Sequence, residues 1–157
     1  MDPRDLGWLT GIIDGEGCFT VASATKVCYP RFFLASRYDD FRIPQRLSSL
    51  LGCGRLYINE AVKNQAPVVI FGLSSCRLIV ETACPILDQC QFMSKKAVEY
   101  PLWKTLAKLV YQTKGNRDQE TIDLMIEAKA KLSALKKATR GAIPEDILAA
   151  IRSEAPL

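Results

Sequence analysis

Between Trp8 and Phe19 the chain reads WLTGIIDGEGCF, and no other stretch constrains its fold as much. Trp8, Leu9, Ile12 and Ile13 recur at helical spacing, which predicts a helix with one apolar face. Gly7, Gly11 and Gly15 stand four residues apart and fall on one side of that helix. A glycine inside a helix costs roughly 0.5–1 kcal/mol relative to alanine. A row of them makes sense where a second backbone must come very close. The helix runs out in Asp14-Gly15-Glu16-Gly17. Carboxylates placed there face the negative end of the helix dipole, so stability alone would not choose them. A divalent cation is the simplest reason to keep acid in that position.

A chain of 157 residues is expected to form one domain that buries about two-thirds of its unfolded surface. No apolar run approaches the ~20 residues of a membrane span. The start, MDPRDLGW, lacks the cationic and apolar regions of a signal peptide. The expected setting is therefore intracellular and soluble, with no membrane partner. Six cysteines stand at 18, 28, 53, 76, 84 and 90, none in C-x-x-C spacing, and the chain has no histidine. That excludes zinc ribbons and histidine-based triads. Several cysteines sit inside apolar runs and read as buried, reduced thiols. The net charge of +4 is uneven: residues 1–20 carry −3, residues 21–104 carry +5 and residues 105–157 carry +2. An acidic focus beside an arginine-rich section suits phosphate held near a metal.

The first helix is expected over Asp5 to Ile13. Strands follow at Cys18–Lys26 and Arg31–Arg37, separated by a turn at Tyr29-Pro30. Asp39 or Asp40 is the expected cap of a helix through Leu51, with Ile43, Leu47, Leu50 and Leu51 as its stripe and Gly52-Cys53-Gly54 as its stop. Arg55–Glu60 alternates, with Leu56 and Ile58 on one face and Arg55, Tyr57 and Asn59 on the other. A loop at Lys63 to Gln65 leads to a strand over Pro67–Leu73. A helix from Ser74 or Ser75 to about Cys90 should break near Pro85. Another follows Ser94, with Val98, Leu102, Leu106 and Leu109 near one face and Pro101 as a kink or first-turn residue. Asn116 with Gln119 would cap a helix of about 118–139, and Pro144 would open a last helix, Glu145 to Arg152. The result is an α+β fold of order α-β-β-α-β-β-α with extra helices. Its four-stranded antiparallel sheet has helices on one face and an open, polar face suited to nucleic acid.

Leu9 to Gly17 (LTGIIDGEG) resembles the LAGLIDADG motif of homing endonucleases at all nine positions, with Thr10, Ile12, Gly15 and Glu16 as departures. Two further segments are similar to that family. One is Arg37-Tyr38-Asp39-Asp40 with its helix and Leu51-Gly52-Cys53-Gly54-Arg55-Leu56-Tyr57. The other is Ser94-Lys95-Lys96-Ala97. The resemblance implies a single-motif, homodimeric member in one domain over 1–157, with a core of about 5–113 and C-terminal helices of about 117–153. It implies a magnesium-dependent double-strand cut, with manganese able to substitute, in a long pseudo-palindromic DNA site. By that resemblance the cut promotes movement of an intron or intein, and the setting is a prokaryotic cytoplasm or an organelle. The alternative is an RNA maturase of the same fold, with intron RNA as ligand, or a DNA-binding regulator that does not cut.

Phosphodiester hydrolysis needs an activated water and charge neutralisation at phosphorus, which divalent cations on carboxylates provide. By resemblance Glu16 is the catalytic, metal-binding acid and the Gly15 carbonyl a second ligand. Asp14 is either a further ligand or a local hydrogen-bonding acid. The end of the second strand supplies a polar residue, Ser36 or Arg37, of which Arg37 is taken. The family often carries a basic residue before S-K-K, where this chain has Met93; Lys95 or Lys96 would substitute, and Lys95 is taken. Lys26, Arg31, Arg37, Arg55, Tyr57 and Asn59 are the candidate DNA contacts. Lys129, Lys131, Lys136 and Lys137 read as a solvated helix face. One motif supplies one acid, so a double-strand cut calls for a two-fold dimer, its helices crossing at Gly7 and Gly11 beside Leu6 or Thr10.

Overall fold

The computed structural model describes residues 1–24, 27–60, 66–113 and 117–138. The chain runs α1 (Pro3–Glu16), β1 (Cys18–Ala24), β2 (Val27–Arg37), a 3₁₀ turn (Tyr38–Asp40), α2 (Arg42–Leu51), β3 (Arg55–Asn59) and β4 (Val68–Leu73). Short α3 (Cys76–Leu78), a π turn (Ile79–Ala83) and α4 (Cys84–Leu87) follow, then α5 (Lys96–Gln112) and α6 (Gln119–Ala138). The four strands form one antiparallel sheet in the order β1-β2-β4-β3. This is the expected α+β architecture. No described helix is long and apolar enough to cross a membrane.

Alternation along the strands decides which face is covered. In β2, Cys28, Pro30, Phe32 and Leu34 are buried, while Tyr29, Arg31, Phe33, Ala35 and Arg37 are exposed. In β4, Val69, Phe71 and Leu73 are buried. The buried set meets Leu9 and Ile13 of α1, Leu47 and Leu51 of α2, and Trp103 and Ala107 of α5. Phe19 lies at the centre, its ring centroid 4.9 Å from Phe32 and 5.0 Å from Trp103. The fully buried Trp103 indole donates to the carbonyls of Thr20 at 3.2 Å and Arg31 at 3.1 Å. α5 is thereby keyed to both strands of the first hairpin.

Several boundaries differ from expectation for identifiable reasons. α1 extends beyond Asp5–Ile13 at both ends. Asp2 caps it by accepting from the Arg4 N–H at 2.8 Å, and Pro3 fills the first turn, where a missing N–H costs nothing. There is no turn at Tyr29-Pro30: Pro30 sits inside β2 opposite Val21. β4 pairs with β2 only from Phe32 onward, so Pro30 has a single neighbouring strand, where proline is tolerated. Neither Asp39 nor Asp40 caps α2; Phe41 occupies that position without a side-chain bond. Pro85 does not break its helix, because the π turn before it carries the Cys84 N–H back to the Ile79 carbonyl. Pro101 lies in the second turn of α5. The buried face of α5 is Tyr100, Trp103, Ala107 and Val110, with Leu106, whereas Val98 is exposed. Asp118, whose carboxylate accepts the Thr121 N–H at 2.8 Å, opens α6. The expected partner Asn116, the loop at 63–65 and the last helix at 145–152 fall outside the described residues.

None of the six cysteines forms a disulfide. Burial pushes the thiols of Cys28, Cys53, Cys84 and Cys90 up, so they stay protonated at neutral pH.

Candidate active site

The end of α1 holds two carboxylates with opposite fates. The last four carbonyls of a helix have no partner inside it, and a carboxylate among them is repelled. Asp14 escapes this by reaching α5. Its Oδ2 accepts the Met93 N–H at 2.8 Å, and its Oδ1 accepts the Ser94 N–H at 3.2 Å and the Ser94 hydroxyl at 2.7 Å. The same hydroxyl accepts from the Lys96 N–H at 3.2 Å. A charge placed badly for α1 is thus placed well for α5, whose positive N-terminal end it faces. Partial burial raises the Asp14 carboxyl. The bonds from Met93 and Ser94 and the charge of Lys96 outweigh that and hold it below the ordinary 3.8.

Glu16 is exposed, and no hydrogen bond or ion pair joins it to another described residue. The Ile13 carbonyl is taken by the Gly17 N–H at 3.0 Å and the Asp14 carbonyl lies 3.4 Å from the Ser94 hydroxyl. Among the described residues nothing outside the helix donates to the Gly15 carbonyl. An uncommitted carboxylate therefore stands next to an uncommitted carbonyl, a hard oxygen pair that fits a small divalent cation. Among the described residues no group of three acids, cysteines or histidines gathers within the chain. Gly17 turns the chain sharply into β1: a Cβ there would lie 2.7 Å from the Ile13 carbonyl oxygen. Only glycine fits that close approach.

The strand register sets the rest of the site. Cys18, two residues beyond Glu16, lies opposite Phe33, so the end of α1 is at the same end of the sheet as Ser36 and Arg37. Arg37 is exposed and forks onto Asp39, Nε to Oδ1 at 3.1 Å and Nη2 to Oδ2 at 2.7 Å. An exposed pair of this kind is weak and releases readily. The Ser36 hydroxyl bonds instead to the Asp40 carbonyl at 3.3 Å. At the start of α5, Lys95 is half-exposed with its Nζ 3.9 Å from Glu99. Lys96 is buried and paired with buried Glu99 at 3.2 Å, which leaves Lys95 as the lysine with access to solvent. Met93 is 90% exposed and bonds Asp14 only through its backbone.

Arg31, Arg37, Arg55, Tyr57 and Asn59 all lie on the open face of the sheet with Thr20, Tyr29 and Phe33. Among the described strand residues on that face there is no acid. A hollow of about 530 Å³ there is lined by Thr20, Arg31, Phe33, Arg55 and Tyr57. The Tyr57 ring lies against Gly72, where a Cβ would come within 2.8 Å of it. The exposed aromatics Phe33 and Tyr29 were missed from sequence, although the alternation of RFFLASR signals Phe33. Lys26 falls outside the described residues, as does the side chain of Lys137. Lys131 pairs with Glu127 at 2.7 Å, and Lys136 bonds the Phe19 carbonyl and the Cys18 sulfur.

Gly7 and Gly11 are exposed, and a Cβ at either meets nothing within 4 Å. The same holds for Gly15. Thr10 between them is half-buried, its hydroxyl bonded to the Leu6 carbonyl at 2.8 Å. Nothing inside the described chain requires glycine at these positions.

The sequence model of the LAGLIDADG endonuclease matches residues 9–107, and the chain belongs to that family of nucleases. Solved structures agree on the fold. The homing endonuclease I-TnaI superposes with a TM-score of 0.67 at 17% identity, over 84% of this chain and 93% of its own. I-SmaMI, bound to uncleaved DNA with calcium ions, gives 0.68 at 21% identity, over 85% of this chain and 46% of its own. I-AabMI, bound to uncleaved DNA, gives 0.69 at 24%, over 88% of this chain and 50% of its own. The chain thus spans most of I-TnaI but half or less of the two DNA-bound relatives.

Asp14→Asn removes a charged acceptor from three donors, a loss of about 1–3 kcal/mol of stability at neutral pH. Because the folded carboxyl lies below 3.8, its contribution is complete above 3.8 and fades as pH falls through the lowered value. Urea midpoints should therefore differ most at pH 7 and converge in acid. A gap unchanged down to pH 2 would mean that the Asp14 charge is irrelevant to folding.

Proposed function

We propose that the chain is one half of a homodimeric, site-specific homing endonuclease that makes a magnesium-dependent double-strand break in DNA. The observation that carries this reading is the uncommitted Glu16 carboxylate at the edge of a sheet face whose described strand residues include arginines and no acid. Glu16 and the Gly15 carbonyl would hold the cation, magnesium or, in its place, manganese. When bound, the cation supplies charge neutralisation at phosphorus and activation of water.

The chain's own residues do the remaining work. Arg31 and Arg55 offer forked donors to phosphate or guanine edges, and Asn59 offers an amide suited to adenine. Arg37, released from Asp39, and Lys95 add positive charge next to the scissile phosphate. The family fold, the DNA held by the relatives I-SmaMI and I-AabMI, and the groove on the open sheet face support double-stranded DNA as the ligand. Two copies of one motif place two Glu16 residues together when α1 crosses its mate at Gly7, Gly11 and Thr10. A two-fold protein of this kind reads a pseudo-palindromic site. By family, such cuts serve the mobility of an intron or intein.

Exposed Met93, where a base is common in the family, favours a second reading, a maturase on intron RNA or a regulator that binds without cutting.

Two experiments test these assignments. Glu16→Gln should lower cleavage of a selected site by roughly 10²-fold or more, the scale of losing a preorganised charge, while DNA affinity stays near wild type. Cleavage retained in that variant would remove Glu16 from the chemistry. Gly11→Leu has open space around its Cβ in the single chain, so folding should survive while sedimentation reports monomer. A stable dimer in that variant would place the interface elsewhere.

A further inference from the structure

On the open face of the sheet, charged side chains surround an apolar spot. Phe33, Gly72 and Arg55 form one row across β2, β4 and β3, because Gly72 lies opposite Phe33 on one side and Arg55 on the other. Ala35, Ile70 and Tyr57 form the next row. A Cβ at Gly72 would lie 2.8 Å from the Tyr57 ring, so glycine lets that ring lean out of its own row and lie down against β4. A glycine inside a strand weakens it, and it often marks a place where a ligand comes close. The hollow of about 530 Å³ at this row is walled by Phe33 and Tyr57, with Thr20, Arg31 and Arg55 also lining it. Phe33 is 37% and Tyr57 48% exposed, so both rings present apolar surface to solvent.

Two outward rings beside two arginines call for a ligand with both characters. The arginines match phosphate or guanine, whereas the rings match an apolar group. In the major groove of DNA the apolar group that a base pair presents is the C5-methyl of thymine, and phenylalanine is among the side chains that contact it. RNA carries uracil, which lacks that methyl, and its major groove is too narrow for side chains to read. We infer that the hollow between Phe33 and Tyr57 takes the C5-methyl of a thymine, and that Phe33 is a specificity-determining residue. Arg31 and Arg55 hold the duplex at its phosphates or guanines, and the hollow selects thymine over the other three bases at one position. This assignment rests on double-stranded DNA being the ligand.

A uracil scan tests it. The full chain selects a duplex from a random-sequence DNA library in the absence of divalent cations, and deoxyuridine then replaces each thymine of that duplex in turn. Each replacement removes one methyl and no hydrogen-bonding group. At one thymine the replacement should weaken binding about fourfold, the scale of one buried methyl group. Phe33 lies on the outward face, so Phe33→Ser should fold, and in it thymine and uracil at that position should bind alike. Phe33→Leu, which restores an apolar side chain, should restore the difference. Equal binding of thymine and uracil at every position in the wild type, or differences that all persist in Phe33→Ser, would overturn the assignment and leave the DNA reading standing. Selection of no duplex, or binding confined to an RNA library, would overturn both.

Discussion

The Asp14 carboxylate joins the last turn of α1 to Met93 and Ser94, which lead into α5, and the geometry of the site depends on that junction. Three donors from Met93 and Ser94 converge on one acid. The bond works because two helix ends of opposite polarity meet there: the negative end of α1 would reject the charge, and the positive end of α5 accepts it. With α1 anchored to α5, and α5 keyed through Trp103 to Thr20 and Arg31, the two helices and the first hairpin hold one another. The turn at Gly17 then projects Glu16 outward from a rigid support.

Two neighbouring acids therefore divide two tasks. Asp14 spends its lone pairs on the fold, whereas those of Glu16 are not taken by any other described residue, as the proposed cation role requires. The open sheet face extends this division. Its inward alternates Phe32, Leu34, Val69 and Phe71 build the core, and its outward alternates Arg31, Arg37, Arg55, Tyr57 and Asn59 stay exposed. A face whose described strand residues include arginines and no acid costs little while solvated, and on a phosphate backbone it would gain by releasing counterions. The exposed glycines of α1 weaken an isolated helix and meet nothing within the described chain, which is what the proposed helix crossing requires.

Much of this was legible in the residues. The 3.6 period of Trp8 to Ile13 and the alternation of Arg55 to Glu60 are local signals that name their elements, whereas the all-apolar run of β4, Val68–Leu73, does not show which of its faces is covered. The open-face set of Arg31, Arg55, Tyr57 and Asn59 follows from the same alternation. What escaped depends on contacts distant in sequence. Asp14 and Ser94 are 80 residues apart, so no local pattern separates a ligand from a clamp. Lys96 and Lys95 read alike until Glu99 is seen to bury with the former. Pro30 and Pro85 mimic breaks because local rules take no account of a missing neighbour strand or of a π turn that absorbs the lost bond.

The division between Asp14 and Glu16 is best tested by locating the cation itself. Anomalous scattering from manganese in crystals of the protein with a DNA target would place it to within a fraction of an ångström. Density beside the Glu16 carboxylate, with Asp14 still bonded to Ser94, is the predicted result. Density on Asp14, with its bonds to Met93 and Ser94 broken, would show that the clamp and the ligand are the same residue, and would contradict the separation of roles on which this description of the site rests.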